Sequence, residues 1–431
     1  MLSLEHLITQ YQGLDELMLN IKKLKTESIR INSKRLNERI QKMAQFGALP
    51  SGGVKRLTLS PEDKAARDLF RQWMEELGLE IAIDEIGNTF GILKGKNIDR
   101  CIGIGSHLDS VPTGGRYDGP VGALGALEVA QTLIENNINL NSTLVVTNYT
   151  NEEGVRFFPD MMGSLAHANP GEVKKYLTAK DKNGITVNDA LKEIGYNGGM
   201  KCGTIQYDHF IEIHIEQGPI LEEKKIDIGI VQGVQAIHWL KLTLEGKSAH
   251  AGTTPIYARK DAFYALSRLS SYTRDLCDKI KNQLITIGSV EVFPNVINVI
   301  PEKIIATLDV RNLDDEKLAI ALDKIDQFIR EDESFTNLKI SKERLVNVPA
   351  VSFDKKVTNA IAESCKQLGY TSLPMHSGAG HDAQILATRY PAAMIFIPSK
   401  DGVSHAVDEY SSPEQIEKGA NVLLQTVLRL D

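Results

Sequence analysis

Five residues, His107, Asp118, Glu153, His214 and His405, are of the types that ligate divalent cations. They lie in GSHLDSVPTGGRYDGP, TNEEGVRF, IEIHIEQGP and SKDGVSHAVDEY, each at a strand end or in a Gly-rich loop. Imidazole nitrogens mixed with carboxylate oxygens suit Zn²⁺, and also Mn²⁺ or Co²⁺. Two such ions ~3.5–4 Å apart hold a water between them and bring its pKa toward neutrality. Asp118 sits between PTGGRY and GPVGALGA, where glycines let the backbone approach a bound group closely. A carboxylate there can bridge two cations, which an imidazole cannot. A phosphate loop is excluded, because no G-K-[ST] follows. Asp109 forms H-x-D with His107 and is a candidate to hold the second ring nitrogen. Glu152 and Glu153 are adjacent, so in extended chain one binds metal while its neighbour faces the bound water.

These residues need a scaffold that brings strand ends together. CIGIGSH and TLVVTNYT read as buried strands, DHFIEIHIEQG as a strand with His214 on its polar face, and AAMIFIP as the strand before His405. Helices alternate with them. SPEDKAARDLFRQWMEELG has Ser60 as N-cap, Pro61 at the first position and Gly78 as the stop, and GALGALEVAQTLIENN is a second. Alternation of this kind gives an α/β fold with a mainly parallel sheet between helices, whose ligands gather at the carboxyl ends of strands. Residues 227–336 read as a separate unit. Strands IDIGIVQGVQAI, WLKLTLEGKS, ITIGSVEVF and KIIATLDVRN, with two helices, predict a ferredoxin-like sandwich. The expected order is a helical N-terminal extension (1–30), a catalytic part (31–226), the inserted unit (227–336) and a second catalytic part (337–431).

The bulk properties narrow the function. A chain of 431 residues exceeds one ordinary core. Its net charge of −7 opposes nucleic-acid binding, which needs a basic stripe. No apolar run approaches a membrane span, and MLSLEHLITQYQGL lacks the basic flank of a signal peptide, so a cytoplasmic location is expected. Cys101, Cys202, Cys277 and Cys365 are widely spaced and read as reduced thiols rather than zinc ligands.

From about residue 31 to the end, the chain resembles the amidase/hydantoinase–carbamoylase branch of the dinuclear-zinc aminopeptidase and aminoacylase clan. GSHLDSVPTGGRYDGPVGALGALEV, TNEEGVRF, EIHIEQGP, GKSAHAGTTP, NVIP, LDVRN, GAGHDA and PSKDGVSHAVDEY carry the likeness, in order and spacing. The resemblance implies a zinc-exopeptidase-like fold whose inserted domain serves as lid and dimerisation element. It implies two metals, one on His107, Asp118 and His214 and the other on Asp118, Glu153 and His405. Glu152 matches the general base, Asp109 the supporting carboxylate, and a metal-bridging hydroxide is the implied nucleophile. Arg311 in LDVRN matches the clamp for a substrate carboxylate, Asn298 and Gln217 match hydrogen-bonding partners, and His250 matches the residue that polarises the scissile carbonyl. His381 in GAGHDA is a further candidate contact. Read without the resemblance, Arg311 would be a surface ion-pair residue and His250 a turn histidine.

The expected activity is cleavage of the carbamoyl (ureido) C–N bond of an N-carbamoyl-L-amino acid or allantoate, releasing ammonia and CO₂ from a homodimer. A dipeptidase or N-acyl amino acid deacylase on the same metals is the alternative within enzymes. A non-catalytic metal-binding protein is the alternative outside them, and Glu152 beside five ligands counts against it. Two departures from the branch pattern, His167 in PDMMGSLAHA and the HAVDEY segment, are expected at the pocket wall.

Overall fold

The computed structural model describes residues 28–431, so most of the expected N-terminal helical extension lies outside the described residues. The chain divides into two compact units, the first running to Gln232 and resuming at Phe353, the second spanning Gly233–Ser352. In the first stretch come β1 (Glu80–Ile83), β2 (Thr89–Leu93), β3 (Asn97–His107), β4 (Ser142–Tyr149), β5 (His209–Ile215) and β6 (Ile228–Val234). The second unit carries β7 (Ala236–Glu245), β8 (Ala249–His250), β9 (Leu284–Phe293), β10 (Val299–Ile300), β11 (Lys303–Asn312), β12 (Lys339–Val348) and β13 (Val351–Ser352). The returning chain adds β14 (Ser372–Ser377) and β15 (Ala392–Ile397).

The main sheet contains the run β1-β2-β4-β3-β5-β15-β6, and β14 also pairs with β6. Its centre, β4-β3-β5-β15, is parallel, and the flanking pairs are antiparallel. β4, β5 and β15 are buried along their whole length, as parallel strands covered on both faces must be. Helices cover them, chiefly Pro120–Glu135, Lys355–Leu368 and Pro413–Leu430. Pro61–Glu76 starts at Ser60, whose hydroxyl accepts the Asp63 amide at 3.3 Å, with Pro61 in the first turn as expected. Helix Pro120–Glu135 comes unusually close to the sheet at Gly122. A Cβ there would stand 2.5 Å from the Ile213 carbonyl oxygen and 2.5 Å from Ser106 Cβ.

The second unit is a four-stranded antiparallel sheet ordered β12-β7-β11-β9 with helices Ala262–Lys279 and Asp315–Glu331 on one face. Residues along β11 alternate between buried and partly exposed; Ile304, Ala306, Leu308 and Val310 join the core under the helices. The open-faced sandwich is the one expected, but its boundaries differ. IDIGIVQGV, read from sequence as its first strand, is β6 of the main sheet, paired with β15. The fourth strand is β12, beyond the expected limit at 336 and paired with β7 from Lys339 to Val348. β12 is mostly exposed and rich in charge, so it lacks the apolar alternation that marks a strand in sequence. The four cysteines are free thiols, three of them buried. Among the described residues no helix is long and apolar enough to cross a membrane.

Replacing Gly122 by Ala should lower the unfolding free energy by about 1–3 kcal/mol through overpacking against backbone. Urea denaturation reads this directly, and an unchanged midpoint would contradict the close helix–sheet contact.

Candidate metal centre

The four central parallel strands each deliver chemistry at their carboxyl ends. β3 ends on His107 itself, β4 is followed by Glu152 and Glu153, His214 is the penultimate residue of β5, and His405 lies in the loop after β15. Asp118 comes from the loop between β3 and helix Pro120–Glu135. Gly119 lets that loop cross the His107 ring: it has φ +77, and a Cβ would fall 2.5–2.7 Å from three ring atoms. Neither the backbone angle nor the space accepts a side chain.

Asp118 is the hub. Its Oδ1 lies 3.0 Å from His214 Nε2 and 3.6 Å from His107 Nε2, and its Oδ2 lies 3.3 Å from His405 Nε2. Glu153 Oε2 stands 3.5 Å from the same His405 nitrogen, and Glu152 Oε2 stands 3.5 Å from His107 Nε2. Burial alone would raise the Asp118 carboxyl, but the surrounding imidazoles, His214 first, hold it well below the carboxylate range. Burial drives the other acids upward, Glu153 to about 8 and Glu152 well above its ordinary value.

Two groups of donor atoms have the spacing of cation sites, His107–Asp118–His214 and Asp118–Glu153–His405, each within 4.8 Å and sharing Asp118. The Nε2 atoms of His107 and His214 are buried and make no directed hydrogen bond among the described residues. Their Nδ1 atoms are taken by backbone carbonyls, Asp109 O at 3.0 Å and Ile215 O at 2.9 Å, which leaves the Nε2 lone pairs aimed inward. Buried acids and inward lone pairs at this density fit divalent cations. A third grouping, Glu212–His214–His381, is otherwise satisfied: Glu212 accepts from Ser106 Oγ at 2.6 Å and the Ala383 amide at 2.8 Å.

Two details differ from the sequence reading. Asp109 does not hold His107 chiefly through its carboxylate, which stands 3.7 Å from Nδ1 and instead accepts the Glu152 and Glu153 amides at 3.3 Å each. Alternation along an extended strand is not what separates Glu152 from Glu153. Asn151 is left-handed (φ 59), so the chain turns beyond β4, and both glutamates line one cavity of about 140 Å³.

Gln217 and His381 also line this cavity. Gln217 Nε2 donates to Asp118 Oδ2 at 2.8 Å and Ser404 Oγ at 3.1 Å, while His381 Nε2 meets Ser377 Oγ at 2.8 Å. His250, Asn298 and Arg311 belong to the second unit. Val299 pairs with His250 across β8 and β10, which brings His250 and Asn298 together; the Asn298 carbonyl accepts the Ala251 amide at 3.0 Å. Arg311, on β11, grips Asp309 through Nε and Nη2 at 2.8–3.0 Å.

His167 is not at the pocket wall. It is buried among aromatic rings, stacked on Tyr207 at 5.1 Å, and burial lowers its pKa to about 4, so it serves as a neutral aromatic. Val407 of HAVDEY faces Gly53 instead, and only His405 of that segment lines the cavity. The residue of HAVDEY that matters most was given no role from sequence. Glu409 Oε1 accepts the Tyr117 and Asp118 amides at 3.1 Å each, and its Oε2 accepts from Ser404 Oγ at 3.1 Å. Its position four residues after His405 was the available signal.

Residues 103–429 match the peptidase family M20/M25/M40. The chain belongs to that family. The chain is 37% identical to an N-carbamoyl-L-amino acid amidohydrolase of Geobacillus stearothermophilus, over 93% of this chain and 99% of that protein. It is 34% identical to an allantoate amidohydrolase of Escherichia coli, over 92% and 97%. A crystal structure of a hydantoinase/carbamoylase family amidase from Burkholderia multivorans superposes with a TM-score of 0.90 at 39% identity, covering 93% of this chain and 98% of that one. These likenesses place the chain in the hydantoinase/carbamoylase branch of the family.

Glu409→Ala should leave two buried amides unsatisfied and loosen Asp118. We expect a loss of about 1–3 kcal/mol in stability and about 10–100-fold in cation affinity. Thermal unfolding and titration with a competing chelator measure the two effects; unchanged cation affinity would remove Glu409 from the support of the site.

Proposed function

We propose that the protein is a metal-dependent amidohydrolase that cleaves the carbamoyl C–N bond of an N-carbamoyl-L-amino acid or allantoate, with release of ammonia. The observation that carries this reading is the pair of cation-sized donor groups sharing Asp118, with Glu152 beside them and outside both. Names of similar proteins, N-carbamoyl-L-amino acid and allantoate amidohydrolases, support the bond type.

His107, Asp118 and His214 would hold one divalent cation, and Asp118, Glu153 and His405 the other; zinc suits the donors, with manganese or cobalt as further occupants. Bound divalent cations supply Lewis acidity, which brings the pKa of water toward neutrality and polarises a carbonyl. Glu152 acts as general base and then passes its proton to the departing nitrogen. Its buried surroundings raise its pKa, which suits a carboxylate that must accept and release a proton near neutral pH. Asp109 fixes the Glu152–Glu153 turn through its two amide contacts. Gln217 steadies Asp118 and offers an amide to substrate, with His381 as a neighbouring contact. Arg311 is suited to clamp the substrate carboxylate, because a guanidinium fork matches a carboxylate bidentately, and Asn298 and His250 add polar contacts, His250 at the scissile carbonyl.

A homodimer through the second unit is part of this reading. β9 is an edge strand with Leu284, Val290 and Phe293 exposed, and Phe263 and Tyr264 stand exposed at the start of helix Ala262–Lys279. Unpaired edges with apolar side chains invite pairing with a second copy. Sedimentation velocity should give the mass of two chains, and a monomer would refute the dimer. A cytoplasmic location is part of the same reading.

The test is ammonia release from a panel of carbamoyl amino acids and allantoate by protein loaded with Zn²⁺ or Mn²⁺. Chelation should abolish turnover and metal return should restore it. Glu152→Gln should keep both metals and lower kcat by roughly 10²–10⁴-fold. Arg311→Ala should chiefly raise KM for carboxylated substrates. No release from any panel member would sink the proposal. Full turnover by Glu152→Gln would sink the assigned base.

A further inference from the structure

Asp160 and Met161 line the cavity without any part in the cation groups or in the contacts assigned above. A closed loop brings them there. Left-handed Asn151 donates its side-chain amide to the carbonyls of Phe157 and Pro159, at 2.9 Å each, and the Met161 amide donates to the Glu152 carbonyl at 2.8 Å. The two limbs touch, since a Cβ on Gly154 would stand 2.6 Å from Asp160 Cβ. Residues 160 and 161 are therefore fixed against the Glu152–Glu153 limb. The Met161 thioether packs at Gly380, with Cε and Sδ 3.0 Å and 3.3 Å from where a Cβ would be.

Of the other carboxylates of the cavity, Asp118 and Glu153 belong to the cation groups and Glu152 stands 3.5 Å from His107 Nε2, whereas Asp160 joins no cation group and is exposed. An ionised carboxylate only accepts hydrogen bonds. An apolar substituent set against it would strip water and return nothing, while an N–H donor would replace that water.

We propose that Asp160 is a specificity-determining residue that selects substrates whose substituent ends in an N–H donor, with Met161 and Gly380 forming the apolar wall beneath it. The donor is an ammonium, as in a basic carbamoyl amino acid, or a second ureido group, as in allantoate. The proposal rests on the amidohydrolase reading, and it sharpens the substrate class within that reading.

The experiment measures kcat/KM by ammonia release for N-carbamoyl-L-ornithine, allantoate and N-carbamoyl-L-norvaline. Wild type, Asp160→Ala and Asp160→Asn are compared at equal metal content. Wild type should favour at least one donor-bearing substrate over the norvaline derivative by about tenfold, the scale of one charge-assisted hydrogen bond. Asp160→Ala should erase that preference and leave the norvaline derivative within about twofold. Asp160→Asn separates the sources: it keeps an acceptor for a ureido N–H but loses the charge that favours ammonium. An equal fall on all three substrates, no change on any, or a wild-type preference for the norvaline derivative would overturn the role. If wild type releases ammonia from none of the three or from any other carbamoyl amino acid, the amidohydrolase reading fails instead.

Discussion

A carboxylate taken out of water costs several kcal/mol unless opposite charge and hydrogen-bond donors surround it. Asp118 meets that constraint from every direction. Three imidazoles point at its oxygens, Gln217 and Ser404 donate to Oδ2, and Glu409 holds its amide. These partners come from three segments, at 107, 214–217 and 404–409, so the position of Asp118 depends on the fold that brings those segments together. The same arrangement leaves buried Nε2 lone pairs facing a shared carboxylate, which is the electrostatic setting that a pair of cations completes.

The parallel sheet explains how residues so far apart in sequence meet. Strands that run in one direction present all their carboxyl ends on one edge, and the loops leaving that edge are adjacent whatever their order in the chain. β3, β4, β5 and β15 lie side by side and carry or precede His107, Glu152–Glu153, His214 and His405 respectively. β4, β5 and β15 are buried along their whole length and β3 over its carboxyl-terminal part, so side chains on these ends are closely packed. The close approach of helix Pro120–Glu135 at Gly122 ties the Asp118 loop to the same scaffold.

Support around the site is carried by backbone as much as by side chains. Carbonyls of Asp109 and Ile215 fix the two imidazole rings, and the amides of Glu152 and Glu153 anchor on Asp109. The left-handed turn at Asn151 then does two things. It puts both glutamates in one cavity, and it starts the loop that returns Asp160 and Met161 to that cavity. One short segment therefore supplies Glu152, Glu153, Asp160 and Met161 to the lining of the cavity.

Much of this was legible in the sequence. The apolar strands, the capped helix at Ser60, the Gly-rich loop around Asp118 and the residue types that bind cations are local features, and local propensity and patterning govern them. Two segments lay beyond that reach: β12, charged and exposed, lacks the pattern of a strand, and IDIGIVQGV belongs to the other sheet because an apolar strand does not disclose its neighbour. Distances that decide a role were beyond the sequence. Asp109 was expected to act through its carboxylate and acts on His107 through its carbonyl; His167 was expected at the pocket and lies in an aromatic cluster; Glu409 was given no role and holds the hub. The sequence by itself determined which chemistry is available, because ligand type and strand-end placement are written locally. Only the tertiary structure decided which atoms face one another, because hydrogen bonds and burial at the site join segments up to 292 positions apart, as in the contact of Glu409 with the Tyr117 amide.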